Sequence, residues 1–111
     1  MKIYISGKIS GLPKSEYTAK FKHAETELKR AGWEPVNPCT FEIPEHSTSA
    51  KALEVCIPEL EKCKAIYMLD DWRDSLVAIV EHNIAKHLNI DHYYQEYQPF
   101  NVMEKIKSEI S

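Results

Sequence analysis

A chain of 111 residues, 43% hydrophobic and 28% charged, has room for one domain built around a single core. Its net charge of −3, with no basic run, argues against a surface that binds a nucleic-acid polymer. No stretch approaches a membrane span, and the opening MKIYIS is too short and too interrupted for a signal peptide. Cys39, Cys56 and Cys63 are an odd count without metal-ligand spacing, which suits a reduced, cytoplasmic, soluble protein. Cys56 and Cys63, seven residues apart, would share a helix face as small core residues.

Residues 2–6 (KIYIS) read as a buried strand running straight into GKISG at 7–11. A helix follows from Ser15, with Tyr17, Phe21, Ala24 and Leu28 on one face and Gly32 as its stop. Residues 33–36 form a short strand, and Pro35 assigns it to a sheet edge. Residues 37–49 are a loop with two prolines and a Ser/Thr cluster. The next helical pattern carries Leu53, Ile57 and Leu60, and Pro58 is expected to kink it or to begin a new helix. AIYML (65–69) is a buried strand and DDWRD a turn. Residues 90–94 form a fourth strand, and after Pro99 a helical tail places Val102, Met103, Ile106 and Ile110 at helical spacing. The expected division is a domain over 1–98 and a tail over 99–111.

Between the turn and the fourth strand lies DSLVAIVEHNIAKHL (74–88), an amphipathic helix capped by Ser75. Val77, Ile84, Ala85 and Leu88 form its apolar stripe, and His82, Asn83, Lys86 and His87 its wet face. Glu81 stands in the middle of the stripe, where a carboxylate is costly unless paired or hydrogen-bonded. It is either a salt-bridged group at a core or dimer edge, or a group held for chemistry.

Strands alternating with helices imply a parallel sheet with right-handed crossovers, an α/β layered domain. Ligands bind such sheets outside the carboxyl ends of the strands. That rim collects GKISG, the 37–49 loop, DDWRDS and the YYQEYQ segment. Trp72 there is either a cover for the core or a stacking wall for a base. Asp70, Asp71 and Asp74 read mainly as turn and cap residues. Tyr93, Tyr94 and Tyr97 read mainly as packing. The five histidines show no ligand spacing, so no metal and no cofactor are expected; His46 sits in the loop and His23 on a charged face.

MKIYISGKISGL, the NP after the second strand, and CKAIYMLDDWRDS followed by Glu six residues after the Ser together resemble the nucleoside 2-deoxyribosyltransferase-like superfamily. The branch is one of short bacterial and phage proteins, and the resemblance covers about residues 1–94. It implies a flavodoxin-like (Rossmann-like) parallel sheet of four to five strands with helices on both faces, and cleavage or exchange of the N-glycosidic bond of deoxynucleosides or their 5′-monophosphates. By the same match Glu81 is the nucleophile at the anomeric carbon, Tyr4 orients it, and Gly7, Ser10 and Ser75 contact sugar and phosphate. It also implies a homodimer or larger homo-oligomer, acting on a small nucleoside or nucleotide.

The residues add a physical case. Ser75 caps the helix that carries Glu81, and its first N–H groups point at the rim, a natural anion site. Apolar neighbours push the Glu81 carboxyl up, while the Tyr4 hydroxyl or the Lys8 ammonium pulls it back. Three positions depart from the superfamily pattern: Val77 for a glycine, Cys56 for the Asp that assists the leaving base, and Lys64 for an Asp. Asp70 or Asp71 is the candidate replacement acid, and Asp71 is taken as the catalytic one. Lys8 and Trp72 join Gly7, Ser10 and Ser75 as substrate-binding candidates. The alternative to an enzyme is a non-catalytic nucleotide-binding module of the same fold.

Overall fold

The computed structural model of the chain describes residues 1–44 and 47–95; the expected tail helix, Tyr97 and His46 lie outside the described residues. The elements are β1 (Lys2–Ser6), α1 (Lys14–Arg30), β2 (Glu34–Val36), α2 (Ser49–Glu61), β3 (Ala65–Met68), α3 (Leu76–His87) and β4 (Asp91–Tyr94). Short 3-10 turns occupy Pro38–Thr40 and Trp72–Asp74. The four described strands form one parallel sheet in the order β2-β1-β3-β4. This is a flavodoxin-like α/β arrangement, and β2, with Pro35, is indeed an edge.

Strand alternation divides the core in two. Ile3 and Ile5 of β1 and Ala65 of β3 face α1, where they meet Phe21, Ala24 and Leu28. Tyr4, Ile66 and Met68 face the opposite way, against Cys56 and Leu60 of α2 and Ala78 and Ala85 of α3. Helices thus cover both faces of the sheet. Helix α1 ends where Gly32 takes φ +92°, with Gly32 N–H donating to Lys29 O and Trp33 N–H to Leu28 O. Asn89 (φ 57°) ends α3 in the same way, so the backbone turns directly into β4.

Two expectations are corrected. No new helix begins at Pro58, which lies inside the single helix α2 (Ser49–Glu61). Pro58 and Glu54, whose carbonyl the missing N–H would have bonded, are both exposed, so water can satisfy the freed oxygen. In α3 the buried face is Ala78, Glu81, His82 and Ala85, rotated from the expected stripe. Small alanines let α3 pack closely, whereas Val77 and Ile84 sit at the margins and Leu88 is 45% exposed at the C-cap.

Candidate active site

Order β2-β1-β3-β4 makes β1 and β3 neighbours whose following connections run to opposite faces of the sheet. That divergence leaves a crevice beyond their carboxyl ends. A cavity of about 580 Å³ opens there, large enough for a small organic ligand. Its walls come from the 7–12 loop after β1, residues of the 38–44 and 47–49 stretches with the start of α2, and the start of α3. Gly7, Ser10 and Ser75 line it, as do Tyr4 and Glu81.

Gly7 is required by packing. A Cβ at this position would lie 2.6 Å from Leu69 Cδ1 and 2.8 Å from Leu69 Cβ. Leu69, fully buried, donates its N–H to Ser6 O at 2.8 Å, so β1 and the segment after β3 are locked together at the mouth of the crevice. Ser75 Oγ accepts the Ala78 N–H at 3.1 Å, capping α3 as its sequence implied.

Glu81 lies 2% exposed on the face of α3 that meets β1. Tyr4 and Ser6, two residues apart on one strand, point to the same side and meet its two oxygens separately. Tyr4 Oη donates to Oε2 at 2.5 Å and Ser6 Oγ to Oε1 at 2.7 Å. Among the described residues no Lys, Arg or His forms an ion pair with Glu81. Burial pushes its carboxyl up to about 7, against the opposing pull of first the Tyr4 and then the Ser6 hydrogen bond. The Tyr4 phenol is itself held well above its ordinary value by burial and by the adjacent carboxylate. Cys56, which completes this polar island from α2, has its thiol pushed up to about 11, chiefly by burial. At neutral pH the island is therefore two hydroxyls, one thiol and one half-ionised carboxyl. A desolvated carboxylate at a cavity wall, oriented but unpaired, has the properties of a nucleophile or base.

Three candidates fall elsewhere. The Asp71 carboxylate accepts the Lys8 backbone N–H at 3.1 Å and the Lys20 ammonium. It clamps the 7–12 loop to the turn before α3 and is absent from the described cavity lining. Lys8 therefore enters through its backbone, and its ammonium is not among the groups that lower the Glu81 carboxyl. Trp72 stacks on His82 with ring centroids 4.3 Å apart and carries the Arg73 guanidinium over its ring. It covers α3 and does not line the cavity.

His82 corrects the expected wet face: it is 6% exposed, held between Trp72 and Tyr94, with Nε2 2.7 Å from Tyr94 Oη. Burial, His92 and Lys86 lower its basicity, so it stays neutral at pH 7. Of the YYQEYQ segment, Tyr93 packs edge-on against Trp33 and Tyr94 against His82, and neither lines the cavity. Asp70 uses its N–H to meet Gln95 Oε1, a turn role.

Sequence reasoning missed Ser6 and the apolar wall. Ser6 had a signal, since residues 4 and 6 of a strand share a face, but nothing local says that α3 brings a carboxylate to it. Phe41 and Ile43, from the loop after β2, line the cavity and pack against the core, Phe41 with its ring 6.5 Å from that of Tyr4. Asn37 anchors this loop, accepting the Cys39 N–H at 2.9 Å and donating to Glu25 of α1 at 3.0 Å. Among the described residues no cluster of three His, Cys, Asp or Glu is placed to hold a metal, and no helix is long and apolar enough to cross a membrane.

Residues 1–94 match the model of the family described as "Domain of unknown function (DUF4406)", and the chain belongs to that family. No curated protein and no solved structure matches it.

Proposed function

We propose that this member of the DUF4406 family is a nucleoside or nucleoside 5′-monophosphate deoxyribosyltransferase or N-glycosidase that works through a covalent sugar–Glu81 intermediate. The observation that carries the reading is the Glu81 carboxylate: buried, held by two hydroxyls, without a cation among the described residues, and open to the cavity. An architectural carboxylate in a core is normally neutralised by a charged partner. In the proposed reaction a Glu81 oxygen attacks C1′ as the N-glycosidic bond breaks. The base leaves with the bonding pair and takes a proton from water. Water, or an N–H nitrogen of a second base, then attacks C1′ and gives its proton to the hydroxide left by the first step, while the sugar–carboxylate bond returns its electrons to Glu81. Gly7, Ser10 and Ser75 are the proposed sugar and phosphate contacts, and Phe41 and Ile43 offer an apolar surface for the base.

A second reading, a nucleotide-binding module without turnover, is favoured by two lining residues. Val77 narrows the cavity beside the start of α3, and the Cys56 thiol is too weak an acid to protonate a leaving base at pH 7.

The deciding experiment is incubation with a panel of 2′-deoxynucleosides and their 5′-monophosphates, following free base by chromatography from pH 5 to 9. The nucleophile is the ionised form, so base release should climb as pH rises through about 7. Binding of a panel member with no base released at any pH would remove the enzyme and leave the binding module.

A further inference from the structure

We infer that Ser6 is a positioning residue for Glu81: it holds Oε1 from the sheet side so that Oε2, beside Tyr4, is the oxygen presented to the cavity. The inference rests on the reading of Glu81 as the nucleophile and specifies which of its oxygens acts. Ser6 and Tyr4 each donate to a different carboxylate oxygen, at 2.7 and 2.5 Å. Tyr4 and Glu81 line the cavity and Ser6 does not. Ser6 is 1% exposed, and its backbone is fixed in the ladder beside Met68. Its hydroxyl therefore approaches the carboxylate from the closed side, and Oε2 is left on the open side.

A carboxylate held by one donor can turn about its last side-chain torsion, a broad and shallow one. Two donors on opposite oxygens fix its plane. When Oε2 forms the bond to C1′, the Tyr4 hydrogen bond must loosen at that oxygen, whereas Oε1 becomes the ester carbonyl oxygen and still accepts from Ser6. The same donor then meets the returning negative charge as water attacks C1′ and the C1′–Oε2 bond breaks. Ser6 thus serves both half-reactions without touching the sugar. The other group facing the carboxylate, the Cys56 thiol, is neutral at pH 7 and does not offer a stronger donor.

The test is Ser6→Ala, a loss of one buried oxygen that the strand accommodates, with two readouts. The first is the titration midpoint of the Glu81 side-chain carboxyl, followed by carbon-13 NMR. Losing one donor to the ionised form should raise it by about one pH unit. The second is the kinetic split on the best substrate of the panel. Because Ser6 makes no substrate contact, KM should stay within about twofold while kcat falls by about tenfold, and the acid limb of the rate profile should move with the NMR midpoint. An unchanged midpoint overturns the inference, and so does a raised KM with unchanged kcat, which would make Ser6 a binding residue. If the wild type releases no base, the proposed reaction falls, and the NMR comparison by itself decides whether Ser6 holds the carboxylate.

Discussion

Replacing Glu81 by Gln keeps the shape of the side chain and removes its charge, and the structure sets the expected result. The folded-state carboxyl titrates near 7, against about 4.5 for an ordinary glutamate. That difference corresponds to roughly 3 kcal/mol by which the ionised form is disfavoured in the fold. The sign follows from proton binding. Between pH 4.5 and 7 the folded chain retains a proton that the unfolded chain has lost, so wild-type stability falls as pH rises across this window. Above pH 7 the full penalty applies, and below 4.5 there is none. The substituted glutamine escapes the penalty at every pH, but its amide N–H₂ replaces an acceptor, and either Tyr4 or Ser6 must turn its hydroxyl to accept instead. That rearrangement costs about 1 kcal/mol. At pH 8 the variant should therefore be more stable by about 2 kcal/mol, about 8 °C in Tm for a domain of this size. At pH 4.5, where the wild type pays almost none of the penalty, it should be less stable by about 1 kcal/mol. The assay is thermal and urea unfolding of both proteins from pH 4 to 8.5, with base release measured alongside and expected to vanish. Other titrations are shared by the two proteins and cancel in the difference. A gap that stays flat across this range refutes the desolvation argument. A loss of about 3–5 kcal/mol at pH 8 would mean that the carboxylate is paired and architectural.

Gly7→Ala places a Cβ against the buried Leu69 side chain, including its Cβ, which no rotamer change can move. It should cost about 1–3 kcal/mol, or roughly 4–12 °C in Tm, by overpacking, and an unchanged Tm would show that the strand ends are not locked as described. Val77→Gly bares the backbone at the start of α3, where Val77 now lines the cavity, at a helix-propensity cost of about 0.5–1 kcal/mol. One further backbone hydrogen bond to a phosphate would raise affinity for a 2′-deoxynucleoside 5′-monophosphate about tenfold by calorimetry. Flat or weaker binding by an intact fold would place the phosphate elsewhere.

The sheet and its order of elements were legible because strand alternation and helix stops are local signals: KIYIS, AIYML, Gly32 and the Ser75 cap all act within a few residues. Glu81 was legible for the opposite reason, as a local inconsistency between a charge and its apolar neighbours. What periodicity could not rank was bulk against fit. It favoured Val77, Ile84, Ala85 and Leu88 as the buried stripe; of these Ala85 is buried, but close packing of α3 selected Ala78 in place of the larger three and turned His82 inward. The burial of His82 depends on Trp72 and on Tyr94, twelve residues further along, and no window on the helix contains that information. Asp71 shows the same limit. Its carboxylate is committed to the Lys8 N–H and to Lys20, 51 residues away, and only the fold brings those groups together.

The choice of partners around Glu81 bears on why a charge should be kept there at all. A lysine or arginine on β1 in place of Tyr4 or Ser6 would hold the carboxyl well below its ordinary value, stabilise the resting fold and leave a weak, firmly paired nucleophile. Two hydroxyls do less. They orient both oxygens and offset part of the desolvation, and the carboxyl is left near 7, ionised in about half of the molecules at neutral pH and only partly satisfied when it is. In the proposed reaction glycosidic bond cleavage would supply what is missing, because positive charge builds at the anomeric carbon as the base departs. A cation that exists only in the transition state lowers the barrier, whereas a permanent one would mainly stabilise the ground state. On this argument the cost of burying Glu81 and its proposed reactivity have one origin, and the paired unfolding and base-release measurements on Glu81→Gln test both at once.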